Sequence, residues 1–257
     1  MRQRFGREGG VDPPVDPRTQ MFLSAMLWGI DVRGPGPLRS FGDTFELWAG
    51  RHGLPRSVEE LEERQLIETA TTPELGRLVR LARAGIIAAL GGRDPIARWE
   101  RPWDGRWRTI AFDVPLNRGA LRARVRRRLK AAHFGCLQRS VWISPDPVPL
   151  IRDHLGTAGM DPKSLIVLEA RPVAGEVDRD LVRAAWNFRR INLLYERYLR
   201  RIEEPPPRGE ALRHWREKEN HLWLAAVGAD PLLPLDLHPR GYLGPRAFER
   251  RRALLRS

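Results

Sequence analysis

Between Arg118 and Lys130 the chain places Arg118, Arg122, Arg124, Arg126, Arg127, Arg128 and Lys130, and no acidic residue occurs from Leu116 to Ser140. A guanidinium presents a fixed fork of N–H donors that matches phosphate oxygens, so such a run fits an anionic partner; a solvated helix face is the bland alternative. Leu121, Val125, Leu129 and Ala132 recur through the run at helical spacing, which leaves the arginines on the other faces of one helix. Just ahead stands Asp113, at the end of the alternating stretch RWRTIAFDV, which predicts a half-buried strand. A divalent ion for phosphodiester cleavage needs several converging oxygen ligands, whereas the other nearby carboxylate, Asp104, lies before that strand. Capping or turn formation before Val114-Pro115 is therefore the stronger expectation for Asp113. His214, Glu217 and His221 also share one side of a predicted helix, but Arg213, Arg216 and Lys218 crowd them and point to a solvated face. No phosphate loop, dinucleotide fingerprint or nucleophile elbow is present. The expectation is a non-enzyme with no catalytic residues, no metal and no cofactor.

The net charge of +13 agrees with a polyanionic partner, and its location sharpens the point. Residues 93–146 hold thirteen Lys/Arg against five Asp/Glu, whereas residues 1–92 hold twelve of each. At 257 residues, 42% hydrophobic and with nine Trp, the chain suits two or three small domains. It has no apolar run of about eighteen residues, so no membrane span is expected. The start, MRQRFGREGGVDPPVDPR, is charged and rich in Gly and Pro, which predicts a disordered tail over 1–20 and no secretory leader. The single cysteine, Cys136, excludes an internal disulfide and a thiolate metal site, fits the cytoplasm, and reads as a small buried hydrophobe.

Three short helices precede the basic run. The first spans residues 21–32 and stops at GPGP; the second runs from Thr44 to His52; the third is capped by Ser57 with Glu60 three residues on. Val58, Leu61, Gln65 and Leu66 give the third helix an apolar stripe, and a wing strand follows near Leu78 to Leu81. This order matches a helix-turn-helix with a wing. The third helix carries Glu59, Glu60, Glu62, Glu63 and Glu68 against Arg64 alone, although recognition helices present Arg, Lys, Asn or Gln to bases. Either the domain meets DNA through Arg51, Arg56, Arg77 and Arg80 at its edges, or it is a packing or protein-binding module. After the basic run, Val148 to Gly156 predicts a helix, SLIVLEA at 164–170 a buried strand, and Asp178 to about Ile202 one long helix. The long helix carries a stripe of Ala184, Phe188, Ile191, Tyr195, Tyr198 and Ile202 and ends at the prolines of 205–207.

WDGRW at 103–107, FDVP at 112–115 and FGCLQRSVWISP at 134–145 resemble the central domain of the phenylacetic-acid-degradation repressors, the PaaX-like transcriptional regulators. That domain is in turn similar to the small ferredoxin-fold subunit of the CRISPR adaptation complex, where an aspartate at the position of Asp113 has been proposed as a metal ligand. In the tail, His221 stands nine residues before Asp230-Pro231, followed by Leu233-Pro234 and Leu237-His238-Pro239, as in the family. Tyr242-Leu243-Gly244 replaces the family's usual Trp-Pro-Gly. The resemblance implies an α+β protein with a divergent winged helix-turn-helix over 21–92, a ferredoxin-like central domain over 93–204 and a small helical domain over 205–257. It further implies a homodimer that binds a palindromic operator in double-stranded DNA and represses a catabolic operon. An acyl-coenzyme A effector, with phenylacetyl-coenzyme A as type, is part of what it implies. The arginines expected at DNA are Arg51, Arg56, Arg77, Arg80, Arg122, Arg124, Arg127 and Arg128. Two rivals remain: a metal-dependent nuclease using Asp113, and a non-catalytic nucleic-acid-binding subunit whose acidic helix binds protein.

Overall fold

The computed structural model describes residues 15–28, 39–40, 55–74, 76–115, 117–148, 151–175 and 177–256. Two compact units emerge. One contains the described residues up to 94 together with 198–224 and those from 246 onward; the other contains 95–197 and 225–245. Among the described residues no helix is long and apolar enough to cross a membrane.

The second unit holds the ferredoxin-like domain. Strand β4 (Trp107–Phe112), helix α5 (Gly119–Ala131), strands β5 (Gly135–Gln138) and β6 (Val141–Ser144), helix α6 (Ile151–Gly156) and strand β7 (Leu165–Ala170) follow in a βαββαβ order. The sheet order is β5-β6-β4-β7 with every neighbouring pair antiparallel. Alternation along β4 sends Ile110 and Phe112 to the helix-covered face, where they pack with Leu121, Val125, Leu129, Trp142, Leu155 and Leu165. Burying each such side chain contributes about 1.5–3 kcal/mol. On the opposite face Trp107 and Ile143 meet Val182 and Trp186 from helix α7 (Asp178–Ala185), with Leu233 and Leu237 from the tail.

That helix corrects the expectation of one continuous element to Ile202. The segment is two helices, α7 and α8 (Phe188–Glu203), separated at Trp186, whose backbone is extended. Trp186 leaves the helix to bury its indole, which donates to the carbonyl of His133, and Asn187 then accepts from the backbone N–H of Arg190 at the start of α8. Ala184, read as core, is exposed, and Val182 takes its place.

In the first unit, helix α1 (Pro17–Met26) begins inside the stretch expected to be tail. Helix α2 (Pro55–Glu63) starts two residues before the expected Ser57 cap. It ends sooner than its apolar stripe indicated, because Gln65 has φ 55 and Ile67 already opens strand β2 (Ile67–Thr72). Strand β3 (Gly76–Leu81) returns, and a three-stranded antiparallel sheet of order β1-β3-β2 includes the short β1 (Arg39–Ser40). Helix α3 (Arg83–Ala89) follows, then α4 (Pro95–Trp99) opens the second unit. The expected second helix, Thr44–His52, lies outside the described residues. Helix α9 (Glu210–Ala229) and helix α10 (Gly244–Arg256) make the C-terminal region helical. In the first unit the buried Glu219 accepts from Tyr198 at 2.9 Å and from Arg251 at 2.9 Å, and Trp223 donates to the carbonyl of Leu90.

Candidate nucleic-acid interface

Helix α5 divides its residues by spacing. Leu121, Val125 and Leu129, four apart, are buried on the sheet, and the other faces carry Arg122, Arg124, Arg126, Arg127, Arg128 and Lys130 beside Gly119 and three alanines. Arg124 and Arg127 are exposed, and Arg128 is half-buried. Arg122 bends back so that its guanidinium donates to the carbonyl of Val114 at 2.5 Å, fixing the turn between β4 and α5. Arg124, Arg127 and Arg128 line an open depression of about 480 Å³ with Thr157, Ala158 and Gly159, the turn that follows α6. Among the described residues, none of these three arginines has an ion-pair partner. Arg128 and Lys130 also sit in the last turn, where the helix dipole favours cations, while the N-terminal end has no side-chain cap.

The other arginines of this unit are engaged differently. Arg108, buried on β4, donates to both oxygens of Asp104 at 2.6 and 2.8 Å and to the carbonyl of Pro145. The hydrogen bond from Arg108 holds the Asp104 carboxyl below its ordinary range. Asp104 and Arg108 are thus the clamp inside the DGRWR stretch. Asp146 takes Arg98 at 2.5 Å and Arg101 at 2.6 Å. Burial pushes the Asp146 carboxyl up, but the two guanidinium groups outweigh burial and hold it below the usual value.

Asp113 is exposed just past β4, its backbone N–H donating to the carbonyl of Ser164 at 3.2 Å. Its side chain is not the cap of α5, since Arg118 occupies that position. Among the described residues no three His, Cys, Asp or Glu side chains group as a metal site. His214 lies 3.9 Å from Glu217 on α9, and His221 is exposed.

The N-terminal arginines fare unevenly. Arg51 and the side chains of Arg56 and Arg77 lie outside the described residues. Arg80 faces Glu68 across the β2–β3 hairpin, its Nε donating to the carboxylate at 2.6 Å. On α2, Glu59, Glu60 and Glu63 are exposed, Arg64 pairs with Glu60 at 3.6 Å, and Glu62 accepts from Thr69.

The tail motif is a fastening inside the second unit. Asp230, fully buried, accepts from the Tyr195 hydroxyl at 2.6 Å, from the backbone N–H of Leu232 at 2.8 Å and from the Tyr242 hydroxyl. Burial, and after it the Asp230 charge, push both phenols well above their ordinary pKa, so they remain donors. The indole of Trp99 donates to Tyr242, and a His238 ring nitrogen lies 3.0 Å from the Leu233 carbonyl. A Cβ on Gly244 would fall 2.2 Å from the Tyr242 oxygen, so glycine is required beside this ring. Sequence spacing marks Asp230, Leu233, His238 and Tyr242 in the tail, but their contacts with Tyr195 and Trp99 have no signature in the linear pattern.

Residues 100–182 match the PaaX protein central Cas2-like domain. The ferredoxin-like sheet of the second unit is thus similar to a PaaX-type central domain. Its WDGRW, FDVP and FGCLQRSVWISP segments all fall inside the match, and the βαββαβ sheet is the fold that the resemblance implied. The uncharacterized protein Rv0674 from Mycobacterium tuberculosis is similar in structure, with a TM-score of 0.51 and 18% identity over 79% of each chain. That likeness concerns the fold alone. No curated protein matches the chain.

Proposed function

We propose that the chain is a DNA-binding transcriptional regulator, a repressor of the PaaX-like kind, without catalytic activity of its own. The observation that carries this reading is the basic face of α5. Within a PaaX-type central domain, three arginines stand on one side of a helix, and among the described residues no carboxylate neutralises them. Guanidinium groups so placed suit phosphate contacts, which give affinity and register but no sequence information. Sequence would be read by the N-terminal segment, where α2 is followed by the β2–β3 hairpin as a winged helix-turn-helix requires.

The regulator acts as a homodimer in this reading. Edge strand β7 exposes Ile166 (56%) and Leu168 (53%) on the face turned away from α5 and α6, and a second copy would cover them. An acyl-coenzyme A effector would release DNA by binding the DNA-incompetent state more tightly. Localisation in the cytoplasm follows from this role.

A second reading rests on α2, whose exposed Glu59, Glu60 and Glu63 repel phosphates. In that reading the N-terminal segment binds a protein, and the chain is a non-catalytic nucleic-acid-binding subunit. Footprinting on the chain's own promoter separates the two. A protected palindrome supports the regulator, whereas equal affinity for promoter and unrelated duplex supports the subunit. Metal-dependent cleavage of duplex or single-stranded DNA that disappears in Asp113→Ala would overturn both in favour of a nuclease.

A further inference from the structure

We propose that the depression between α5 and the turn after α6 is a dedicated site for one phosphoryl group, held by Arg124, Arg127 and Arg128. The proposal rests on the reading of α5 as a phosphate-facing helix, and goes beyond it by making three of its arginines a point site rather than part of a diffuse strip. Residues at i, i+3 and i+4 share one helix face, so the three guanidinium groups gather within a single turn. Like charges at this spacing repel, and no carboxylate among the described residues relieves them.

Other arginines of the same unit do find oxygen partners within the chain. Arg98 and Arg101 have Asp146, Arg106 has Glu169, Arg108 has Asp104, and Arg152 reaches the carbonyl of Leu165 at 3.1 Å. The unit thus can neutralise an arginine from within, and the three that line its concavity have no carboxylate partner among the described residues.

The turn opposite is shaped for closeness. Gly159 has φ +86, and a Cβ there would stand 3.4 Å from a terminal guanidinium nitrogen of Arg124. Glycine is favoured there by its backbone conformation, and the turn runs at ordinary contact distance from that guanidinium. Thr157 spends its hydroxyl hydrogen on the carbonyl of His154, so the donors facing the depression come from the arginines. Because the depression is open, it fits a phosphoryl group still attached to a larger body. That body is either a nucleic-acid backbone or a phosphorylated small molecule.

The test uses the full chain titrated calorimetrically with pyrophosphate at low salt. One pyrophosphate per chain is expected. Arg127→Gln and Arg124→Gln should each weaken it about tenfold, the loss of one charge-assisted contact, while Arg139→Gln, an exposed arginine in the β5–β6 turn, should change it less than about twofold. Thermal melts of the variants check that they fold. Pyrophosphate that displaces a bound duplex identifies the backbone as the source; a ternary complex identifies a small phosphorylated ligand. Absence of saturable binding, or equal weakening by Arg139→Gln, overturns the proposal. If duplex binding then keeps its dependence on Arg124, Arg127 and Arg128, the regulator reading survives without the phosphoryl site. If pyrophosphate binds and no duplex does, the site survives and the DNA reading fails.

Discussion

Helices α2 and α5 each pack one apolar stripe and present a charged face, yet the faces have opposite sign. On α2, Glu59, Glu60 and Glu63 are exposed around buried Leu61. On α5, Arg124 and Arg127 are exposed around buried Val125. In the proposed winged helix-turn-helix the helix assigned to recognition is thus the acidic one, while the basic one belongs to the ferredoxin-like sheet. Topology places a helix; the charge on its solvent face decides which partner it tolerates.

The largest effect should come from breaking the inner face of α5. Leu129, fully buried, should cost about 2–5 kcal/mol when replaced by Ala, measured by urea denaturation of the central unit's tryptophan signal. A loss below about 1 kcal/mol would mean that α5 is not held to the sheet by this stripe.

Packing on the inner face of these helices is legible in the sequence. Period two in RWRTIAFDV and the four-residue spacing of Leu121, Val125 and Leu129 announced β4 and α5, because burial on one face writes itself into the sequence. Tertiary contacts overrode pattern elsewhere. Trp186 breaks an amphipathic run to reach His133, and Gln65 turns the chain out of α2 although Leu66 continued its stripe. The arginine partners were hidden as well. Composition cannot tell Arg80, paired with Glu68 across a hairpin, from Arg127, which lines the depression.

A smaller effect separates paired arginines from those lining the depression by pH. Asp146 is held below its ordinary carboxylate range in the folded chain, so its contribution is present above the unfolded-state value and is lost as pH falls through the depressed one. Unfolding free energy should therefore drop on acidification below about pH 4 more steeply in the native chain than in Asp146→Asn. Parallel pH profiles would show that Arg98 and Arg101 do not stabilise that carboxylate. The Arg124, Arg127 and Arg128 face, lacking such a partner, should add nothing to this acid limb.

The smallest expected change is on α2. Neutralising Glu59, Glu60 and Glu63 together to Gln should alter the salt dependence of duplex binding by less than about one unit of slope, if α5 supplies the phosphate contacts. A marked gain in affinity would instead place α2 beside the phosphates and restore it as the recognition helix.

Whether α5 grips phosphate is decided by the salt dependence of duplex binding, compared between the native chain and the combined Arg124→Gln, Arg127→Gln, Arg128→Gln variant. Each phosphate contact contributes about 0.9 to the slope of log affinity against log salt. The slope should fall by two to three such contacts, roughly 2–3 units, in a variant whose melting temperature is unchanged. An unchanged slope in a folded variant would make the basic face of α5 a solvated surface and place the phosphate contacts elsewhere.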